Sequence, residues 1–345
     1  MTDISIRTEG HAGRITLQRP KALNAVTYDM CSTIEAALAD WREDDAVKLI
    51  ILDAEGDKAF SAGGDIADLY KTGMAGDFAF GQKFWRDEYR MNAVIHDYPK
   101  PIVSFLQGFT MGGGMGVGCH GSHRITGETS QIAMPECGIG LVPDVGGSLI
   151  LANAPGALGA YAGITGARMN AGDAILAGFA DLYIPQDRWP ALIIALVQTG
   201  DPTCLAPQSE TPPQGDLSKN RAEIDRHFAA PSLPALLGSL RADPSDFAAK
   251  TLKAVLRASP LAAAYTIEML ARLKGKTDIR TALDLEYRFT SRAMEHGDFL
   301  EGVRAAIIDK DRSPRWKHDH DSLPQTALQT MLAPLTGDTA LNFQR

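Results

Sequence analysis

Apolar and polar positions along the first two hundred residues follow one another in a way that predicts strands separated by helices. The run VKLIIL at 47–52 is almost wholly apolar, as strands buried inside parallel sheets usually are. Apolar residues recur at helical spacing after Thr27, a good N-cap residue, and over 78–97. Similar apolar runs predict further strands at 4–8, 13–18, 101–106, 124–126, 131–134 and 180–184. This rhythm indicates an α/β fold.

The composition changes at 201–219, where prolines and polar residues interrupt the apolar periodicity, and we interpret this segment as a linker or exposed connection. Asp298 and Glu301 have the spacing of a capping box at the start of the last predicted helix. Helices are predicted at 221–241, 246–258, 261–274, 279–295 and 298–308. The predicted organisation is therefore an α/β core at 1–200, followed by a linker and a helical C-terminal region at 201–345.

Overall composition narrows the classes of function. The formal net charge of −8 argues against a nucleic-acid-binding surface, which would carry clustered Lys and Arg. The 4 cysteines are scattered through 345 residues and do not form a disulfide framework. Apolar runs are too short for a membrane span, and the first residues lack the pattern of a secretory signal. We therefore expect a cytoplasmic protein with neither nucleic-acid nor membrane partners.

Two glycine-rich loops each join a strand-like run to a helical pattern. The first contains Gly63 and Gly64, and the second is MGGGMG at 111–116. Because glycine has no Cβ, backbone N–H groups in such loops can approach a ligand atom closely. The loops are typical of a site for an oxyanion or a phosphate. A pair of tight turns is the structural alternative.

Two carboxylates follow at 136 and 144, each next to a proline and close to glycines. Glu136 sits in the short loop after Pro135, where a carboxylate can serve as a nucleophile or general base, or can simply cap a helix. Asp144 lies between Pro143 and a glycine pair, and a helix N-cap is its structural alternative as well. Two carboxylates close together in space would push their pKa values apart, which is a common route to one acid and one base.

Cysteine and histidine chemistry is less well supported. Cys119, His120 and His123 have too few further ligands nearby for a metal site, so we predict none. Cys137 is next to Glu136 but has no evident histidine partner, so we interpret it as a wall of the pocket rather than a nucleophile.

Taken in order, these motifs resemble the crotonase, or enoyl-CoA hydratase/isomerase, superfamily from about residue 10 to residue 317. The segments FSAGGDI at 60–66 and MGGG at 111–114 are similar to its two oxyanion-hole loops. Further matching segments are EY at 88–89, MPE at 134–136, GLVPDVGG at 140–147, DFLEGVRA at 298–305 and IDKD at 308–311. Within the superfamily the likeness is closest to the branch that hydrolyses short 3-hydroxyacyl-CoA thioesters.

The resemblance implies a spiral of ββα repeats followed by a helical C-terminal region, and an acyl-CoA substrate with no separate cofactor. It places the N–H groups of Gly64 and Gly113 at the thioester oxygen. It makes Glu136 the nucleophile or general base, and it gives Asp144 the acyl hydroxyl or the hydrolytic water. The residues that it places at the substrate are Lys21, Lys58, Ala62, Glu88, Tyr89 and Gly112.

Some of these roles have alternatives. The two lysines, read as contacts to the CoA phosphates, are equally consistent with solvated surface residues. Helix-surface or core positions are equally consistent with the pair at 88–89. Oligomers are usual in the superfamily, which makes a homo-oligomer a further expectation, although the extra residues at 201–260 would cover the usual interface.

One position departs from the hydratase pattern. Hydratases of the superfamily carry a glutamate two residues after the glycine triplet, where this chain has Gly116. Hydration looks like a two-glutamate reaction, so the missing carboxylate counts against a hydratase or isomerase and favours a thioester hydrolase, as in valine breakdown. A third alternative is a catalytically silent structural subunit. Such a subunit has no physical reason to keep Glu136 and Asp144 together with two donor loops.

Overall fold

A computed structural model describes residues 2–343 of the chain, and strands alternate with helices over its first two hundred residues as predicted. The strands within this range are β1 (Ile4–Glu9), β2 (Ala12–Leu17), β3 (Leu49–Ala54), β4 (Ala59–Ser61), β5 (Ile102–Leu106), β6 (Phe109–Met111), β7 (His123–Thr126), β8 (Gln131–Ala133) and β9 (Leu182–Tyr183).

The α-helices up to residue 219 are α1 (Tyr28–Arg42), α2 (Ala67–Met74), α3 (Phe78–His96), α4 (Gly113–Gly118), α5 (Gly147–Asn153), α6 (Leu158–Thr165), α7 (Ala171–Ala177), α8 (Trp189–Thr199) and α9 (Asp216–Lys219). Those after it are α10 (Arg221–Phe228), α11 (Leu233–Ala242), α12 (Asp246–Val255), α13 (Pro260–Leu273), α14 (Ile279–Ala293), α15 (Phe299–Val303) and α16 (Gln325–Leu332).

Internal contacts divide the described residues into two compact units, and each unit is discontinuous in sequence. The first unit comprises residues 2–65, 87–133 and 168–219. The second comprises residues 66–86, 134–167 and 220–343. All of the strands given above belong to the first unit.

The first unit contains two sheets. Six strands form one sheet in the order β1-β2-β3-β5-β7-β9, in which the β1-β2 hairpin is antiparallel and the other pairs are parallel. The smaller sheet has the order β4-β6-β8, and both of its pairs are parallel. Parallel strands end at the same edge of a sheet. The segments that follow β4 and β6, which are the two glycine loops, therefore leave the small sheet side by side.

The core of the first unit lies around the central strands. Leu49, Val103 and Phe105 belong to a fully buried cluster that also includes the indole of Trp189. Residues 201–219, predicted as a linker or exposed connection, contain short 3₁₀ helices and α9. Leu205 of this segment is part of the same buried cluster.

The second unit is helical, and its core is formed by α13 and α14. Tyr265 and Phe289 pack edge to face with ring centroids 4.9 Å apart. Trp85 and Phe299 make a similar contact at 5.5 Å. Burying such aromatic pairs removes a large apolar area from water, which stabilises the helices around them.

Three local predictions can be compared directly with the structure. Thr27 is confirmed as the N-cap of α1, since its side chain accepts a hydrogen bond from the Met30 amide at 3.2 Å. The single helix predicted at 221–241 is wrong, because the chain breaks around Pro231 and restarts at α11 with Ser232 as its cap. The capping box at Asp298 is also wrong, because the Asp298 side chain makes no cap hydrogen bond to α15.

No helix within residues 2–343 has the combination of length and apolar character that a membrane crossing requires.

Candidate active site

The loop after β6 has the backbone geometry that its glycines suggest. Gly112 has φ +48 and ψ −125, a combination that residues with a side chain rarely adopt. Gly113 is the first residue of α4, where an N–H group has no acceptor within the helix. A Cβ at Gly114 would lie 2.5 Å from the Ser61 carbonyl oxygen, so only glycine permits the close approach of β4. The predicted donor loop is therefore rigidly seated against the small sheet.

The loop after β4, which contains Gly63 and Gly64, directs one amide away from its neighbours. Val26 donates to the Gly63 carbonyl at 2.9 Å and accepts from the Asp65 amide at 2.8 Å. Val26 and Gly64 therefore form a parallel bridge. In such a bridge the N–H of the central residue, here Gly64, points away from the partner strand. The Ala62 amide is bonded to the Leu23 carbonyl at 2.9 Å. Ala62 thus fixes the loop through its backbone, and the amide of Gly64 is left directed elsewhere.

The structure brings the two predicted donors together. A Cβ at Gly113 would lie 3.1 Å from the Gly64 amide nitrogen and 2.9 Å from Oε1 of Glu88. Glu88 is buried, with 4% of its surface exposed, and is on α3. The adjacent Tyr89 is fully buried. Two backbone amides and one buried carboxylate therefore converge on the same small region of the first unit.

The two lysines that were predicted to contact CoA line the same pocket. Lys21 and Lys58 are exposed and line one pocket of about 260 Å³, together with residues 55–57. Lys58 borders a second pocket that reaches Phe109. Glu55 and Asp57 line the first pocket as well, so its charge is mixed rather than purely positive.

In the second unit, Glu136 begins a short 3₁₀ helix, Glu136–Ile139, directly after Pro135. Its side chain is buried, with 4% of the residue exposed. The Leu141 amide donates to the Glu136 carbonyl at 3.0 Å, which closes the loop on itself. The next residue, Cys137, accepts from the Ser259 amide at 2.9 Å through its carbonyl. The loop that carries Glu136 is therefore fixed at both ends.

The segment 298–305, one of the motifs that resemble the superfamily, packs closely against this loop. A Cβ at Gly140 would lie 2.5 Å from the Asp298 carbonyl, and one at Gly302 would lie 2.2 Å from the Ile139 carbonyl. The Asp298 side chain accepts from the Ser259 hydroxyl at 2.6 Å and from the Lys317 amide at 2.8 Å. These two bonds explain why Asp298 does not cap α15, because both of its oxygens are used elsewhere.

Asp144 opens a tight turn before α5. The Gly147 amide donates to the Asp144 carbonyl at 2.7 Å, and the two central residues, Val145 and Gly146, have φ +51 and φ +81. Positive φ at both central positions identifies a type I′ turn. Asp144 itself is 4% exposed. The candidate carboxylate is thus buried at the start of a turn with unusual backbone geometry.

Glu286, which the sequence analysis did not identify, faces this turn from α14. It is fully buried and accepts from the Gly146 amide at 2.9 Å, from the Ser148 amide at 3.2 Å and from the Ser148 hydroxyl. Burial raises the pKa of Glu286 to about 8, and the charge of Asp144 adds to this increase while the three hydrogen bonds oppose it. The sequence pattern that could have identified Glu286 is a lone glutamate on the apolar face of α14, three positions after Leu283.

The remaining candidates are consistent with structural roles. Burial raises the pKa of the Cys137 thiol to about 12, so the thiolate needed for nucleophilic attack is disfavoured. Within residues 2–343, ligand atoms of Glu223, His227 and Asp243 lie within 4.8 Å of one another, as a metal site would require. Arg226 Nη2 contacts those same three atoms, so a guanidinium already neutralises this group.

The chain is similar to known proteins over most of its length. The sequence profile described as enoyl-CoA hydratase/isomerase matches residues 12–332. A curated relative from Gallus gallus, "3-hydroxyisobutyryl-CoA hydrolase, mitochondrial", is 35% identical over 326 residues, which cover 91% of this chain and 84% of that protein.

Two solved structures superpose over nearly the whole chain. An enoyl-CoA hydratase from Rhodobacter sphaeroides 2.4.1 has 57% sequence identity and a TM-score of 0.95, with 99% of this chain and 100% of that chain covered. A carnitinyl-CoA dehydratase from Mycobacterium thermoresistibile has 36% identity and a TM-score of 0.94, with 100% and 99% covered.

Proposed function

Since the chain belongs to the enoyl-CoA hydratase/isomerase family, we propose that it is a CoA-thioester hydrolase for a short 3-hydroxyacyl group. The substrate that we propose is 3-hydroxyisobutyryl-CoA, cleaved to 3-hydroxyisobutyrate and CoA in valine catabolism. The observation that carries the proposal is the presence of two buried carboxylates, Glu136 and Asp144, in a chain that has Gly116 at the hydratase glutamate position. The name of the Gallus gallus relative supports the same choice.

The first requirement of thioester hydrolysis is a site for negative charge on the carbonyl oxygen. We assign this role to the amides of Gly64 and Gly113, because the structure brings their loops together and leaves both N–H groups outside the local backbone pairing. Amides fixed in place need no reorganisation during the reaction, and each such donor contributes on the order of 3 kcal/mol to transition-state stabilisation.

The second requirement is attack on the carbonyl carbon, which we assign to Glu136. In one route its carboxylate adds to the carbon, CoA leaves as the thiolate, and water cleaves the resulting anhydride. In the other route the carboxylate takes a proton from water, the hydroxide adds to the carbon, and CoA again leaves as the thiolate. Both routes need an ionised carboxylate held in place. The backbone hydrogen bonds of the Glu136 loop support the second of these conditions.

A hydratase or dehydratase is the second candidate function. It is favoured by the names of the two superposed proteins, one of which is 57% identical to this chain. The missing carboxylate at Gly116 counts against it, since α4 offers glycine, methionine and valine side chains there.

One assay separates the two candidate functions. The protein is incubated with 3-hydroxyisobutyryl-CoA and, separately, with crotonyl-CoA, while thiol release and loss of the enoyl absorbance are followed. We expect thiol release from the first and no change in the second. Loss of enoyl absorbance would favour the hydratase, and silence with both substrates would favour a structural subunit.

Glu136→Gln is the matched control for this assay, because it removes the charge and keeps the shape. We expect its rate to fall by about 10²–10⁴-fold with CoA binding almost intact. More than about a tenth of the wild-type rate would exclude Glu136 from the central role.

Substrate choice tests Asp144. If its buried carboxylate accepts a hydrogen bond from the acyl 3-hydroxyl, isobutyryl-CoA lacks the donor for that bond. We expect kcat/KM for isobutyryl-CoA to be about a hundredfold lower than for 3-hydroxyisobutyryl-CoA, and Asp144→Asn to narrow this hydroxyl preference. Equal slowing of both substrates by Asp144→Asn would instead place the residue at the water or at Glu136.

A further inference from the structure

Glu286 is a fully buried carboxyl group to which none of the steps above assigns a role. It lies on the apolar face of α14, among residues that form the core of the second unit. A buried carboxyl group is costly unless hydrogen bonds compensate for the loss of water. Glu286 accepts three such bonds, and all three come from the turn that begins at Asp144 or from the first residues of α5.

That turn is strained at one position. Val145 has φ +51, which is rare for a residue with a side chain and rarer still for a β-branched one. Val145 also follows Asp144 directly, so any relaxation of its backbone reorients the Asp144 side chain. A strained residue of this kind persists only where the surrounding structure fixes it.

The bonds to Glu286 are placed to fix this turn. Gly146 and Ser148 donate to different oxygens of one carboxyl group, and between them Gly147 donates to the Asp144 carbonyl. The Glu286 side chain therefore binds the residues on both sides of Gly147, which closes the turn. Relaxation of Val145 would break these bonds and leave a carboxyl group buried without partners.

We propose that Glu286 is a positioning residue, which holds the strained 144–147 turn so that the Asp144 carboxylate is oriented to read the acyl hydroxyl. The inference rests on the proposed function, because hydroxyl preference is measured through thioester hydrolysis. Glu286 does not touch substrate in this scheme and acts through the turn.

Two substitutions at 286 test the proposal. Glu286→Ala leaves two amides and a hydroxyl without their acceptor, so we expect the hydroxyl preference to fall by about tenfold or more. With its oxygen toward Ser148, Glu286→Gln can still accept from the amide and the hydroxyl of Ser148 and loses only the bond from Gly146, so we expect the preference to stay within about threefold of wild type. The rate with isobutyryl-CoA should change less than the rate with the hydroxylated substrate in both variants.

Asn153→Ala is the matched control at the other end of the same helix. The Asn153 amide donates to the Lys276 carbonyl at 2.9 Å and its oxygen accepts from Gly275 at 3.1 Å, so its loss also removes side-chain hydrogen bonds that tether α5. We expect this variant to unfold at lower temperature and to keep the hydroxyl preference. A contribution of Glu286 to stability alone would give the same result for Glu286→Ala, and that result would overturn the proposal.

Hydrogen exchange gives a second readout that does not require activity. We expect faster amide exchange at residues 144–148 in Glu286→Ala than in Asn153→Ala or in wild type, and equal exchange would overturn the proposal.

If wild type releases no thiol, the proposed function fails while hydrogen exchange still decides the role of Glu286. If wild type has the hydroxyl preference and Glu286→Ala keeps it, the inference fails and the proposed function stands. Should Glu286→Ala not fold, Ser148→Ala removes one of the three contacts and should lower the preference about threefold.

Discussion

The two units build their candidate chemistry in different ways. In the first unit the groups are backbone amides, those of Gly64 and Gly113, which follow neighbouring strands of one small sheet. In the second unit the groups are side-chain carboxylates, Glu136 at the start of a short 3₁₀ helix and Asp144 in the turn before α5. These carboxylate segments are held by contacts with residues far along the chain. The Cys137 thiol contacts the Thr266 hydroxyl, 129 positions later, and the Gly146 amide donates to Glu286, 140 positions later.

This difference determines how each unit is damaged. The amide donors depend on space where a side chain would clash, so adding one atom should disturb them. The carboxylate loops depend on distant partners, so removing a partner should disturb them. Substitutions that add or delete atoms therefore test the two units separately.

The largest effect is expected from adding a methyl group in the first unit. Gly113→Ala would place a carbon 2.9 Å from Oε1 of Glu88 and 3.1 Å from the Gly64 amide, which forces the two donors apart. We expect kcat for thioester hydrolysis to fall by about 10²–10³-fold. Gly238→Ala is the control, since a Cβ there meets open space on α11, and it should keep full activity. A folded Gly113→Ala protein with activity within about tenfold of wild type would contradict the donor assignment.

An intermediate effect is expected in the second unit, on stability. The pKa of Glu286 is about 8 in the folded protein, against an ordinary value of 4.5. Between these values the unfolded chain has lost a proton that the folded protein keeps. The free energy of unfolding should therefore fall with rising pH, by about 1 kcal/mol per pH unit from this group.

Glu286→Gln cannot titrate and should lack this component. Unfolding in urea should be measured for both proteins from roughly pH 5 to pH 8. As the pH rises, the unfolding free energy of wild type should fall steadily relative to that of the variant. Parallel pH profiles for the two proteins would mean that Glu286 does not hold a proton in the folded state.

The smallest effect is expected at the pocket lysines. Lys58 is exposed, so replacing it removes one solvent-screened charge near a bound phosphate. We expect Lys58→Ala to raise KM about threefold with kcat unchanged, as loss of uniform binding does. Lys48→Ala changes another exposed lysine of the first unit and should leave KM unaltered. An equal change in both variants would reflect overall charge rather than a contact.

Sequence patterns predicted the parts of the molecule that depend on local chemistry. The crotonase-like α/β fold and the family are confirmed by the superposed structures and the matching profile. The strands at 47–52 and 101–106 are confirmed as β3 and β5, within two residues at each end. These elements follow from apolar periodicity, which needs no knowledge of distant contacts.

The features that the sequence did not predict depend on tertiary contacts. Glu286 resembles any other glutamate on an amphipathic helix until α5 is placed against it. Asp298 and Glu301 have the spacing of a capping box, but Ser259 and Lys317 take both oxygens of Asp298. Local spacing therefore predicted the start of a helix correctly and assigned the wrong partners to its first side chain.

Several expectations remain predictions. The domain boundary at residue 200, the cytoplasmic location, the homo-oligomer and the absence of a separate cofactor belong to this group. The roles assigned to Lys21, Ala62, Tyr89 and Gly112 at the substrate belong to it as well.

The support behind Glu136 also affects the order in which the protein can mature during synthesis. The Glu136 loop contacts Ser259 and Asp298, and Lys317 donates in turn to Asp298. Asp298 lies 162 positions after Glu136 in the sequence. At the usual rates of translation the ribosome needs roughly ten to thirty seconds to add that length of chain. The strands that hold the amide donors are complete long before then. A nascent chain would therefore carry its two glycine loops well before the Glu136 loop is held in place, and premature termination before residue 298 would remove the Asp298 contact from the Glu136 loop.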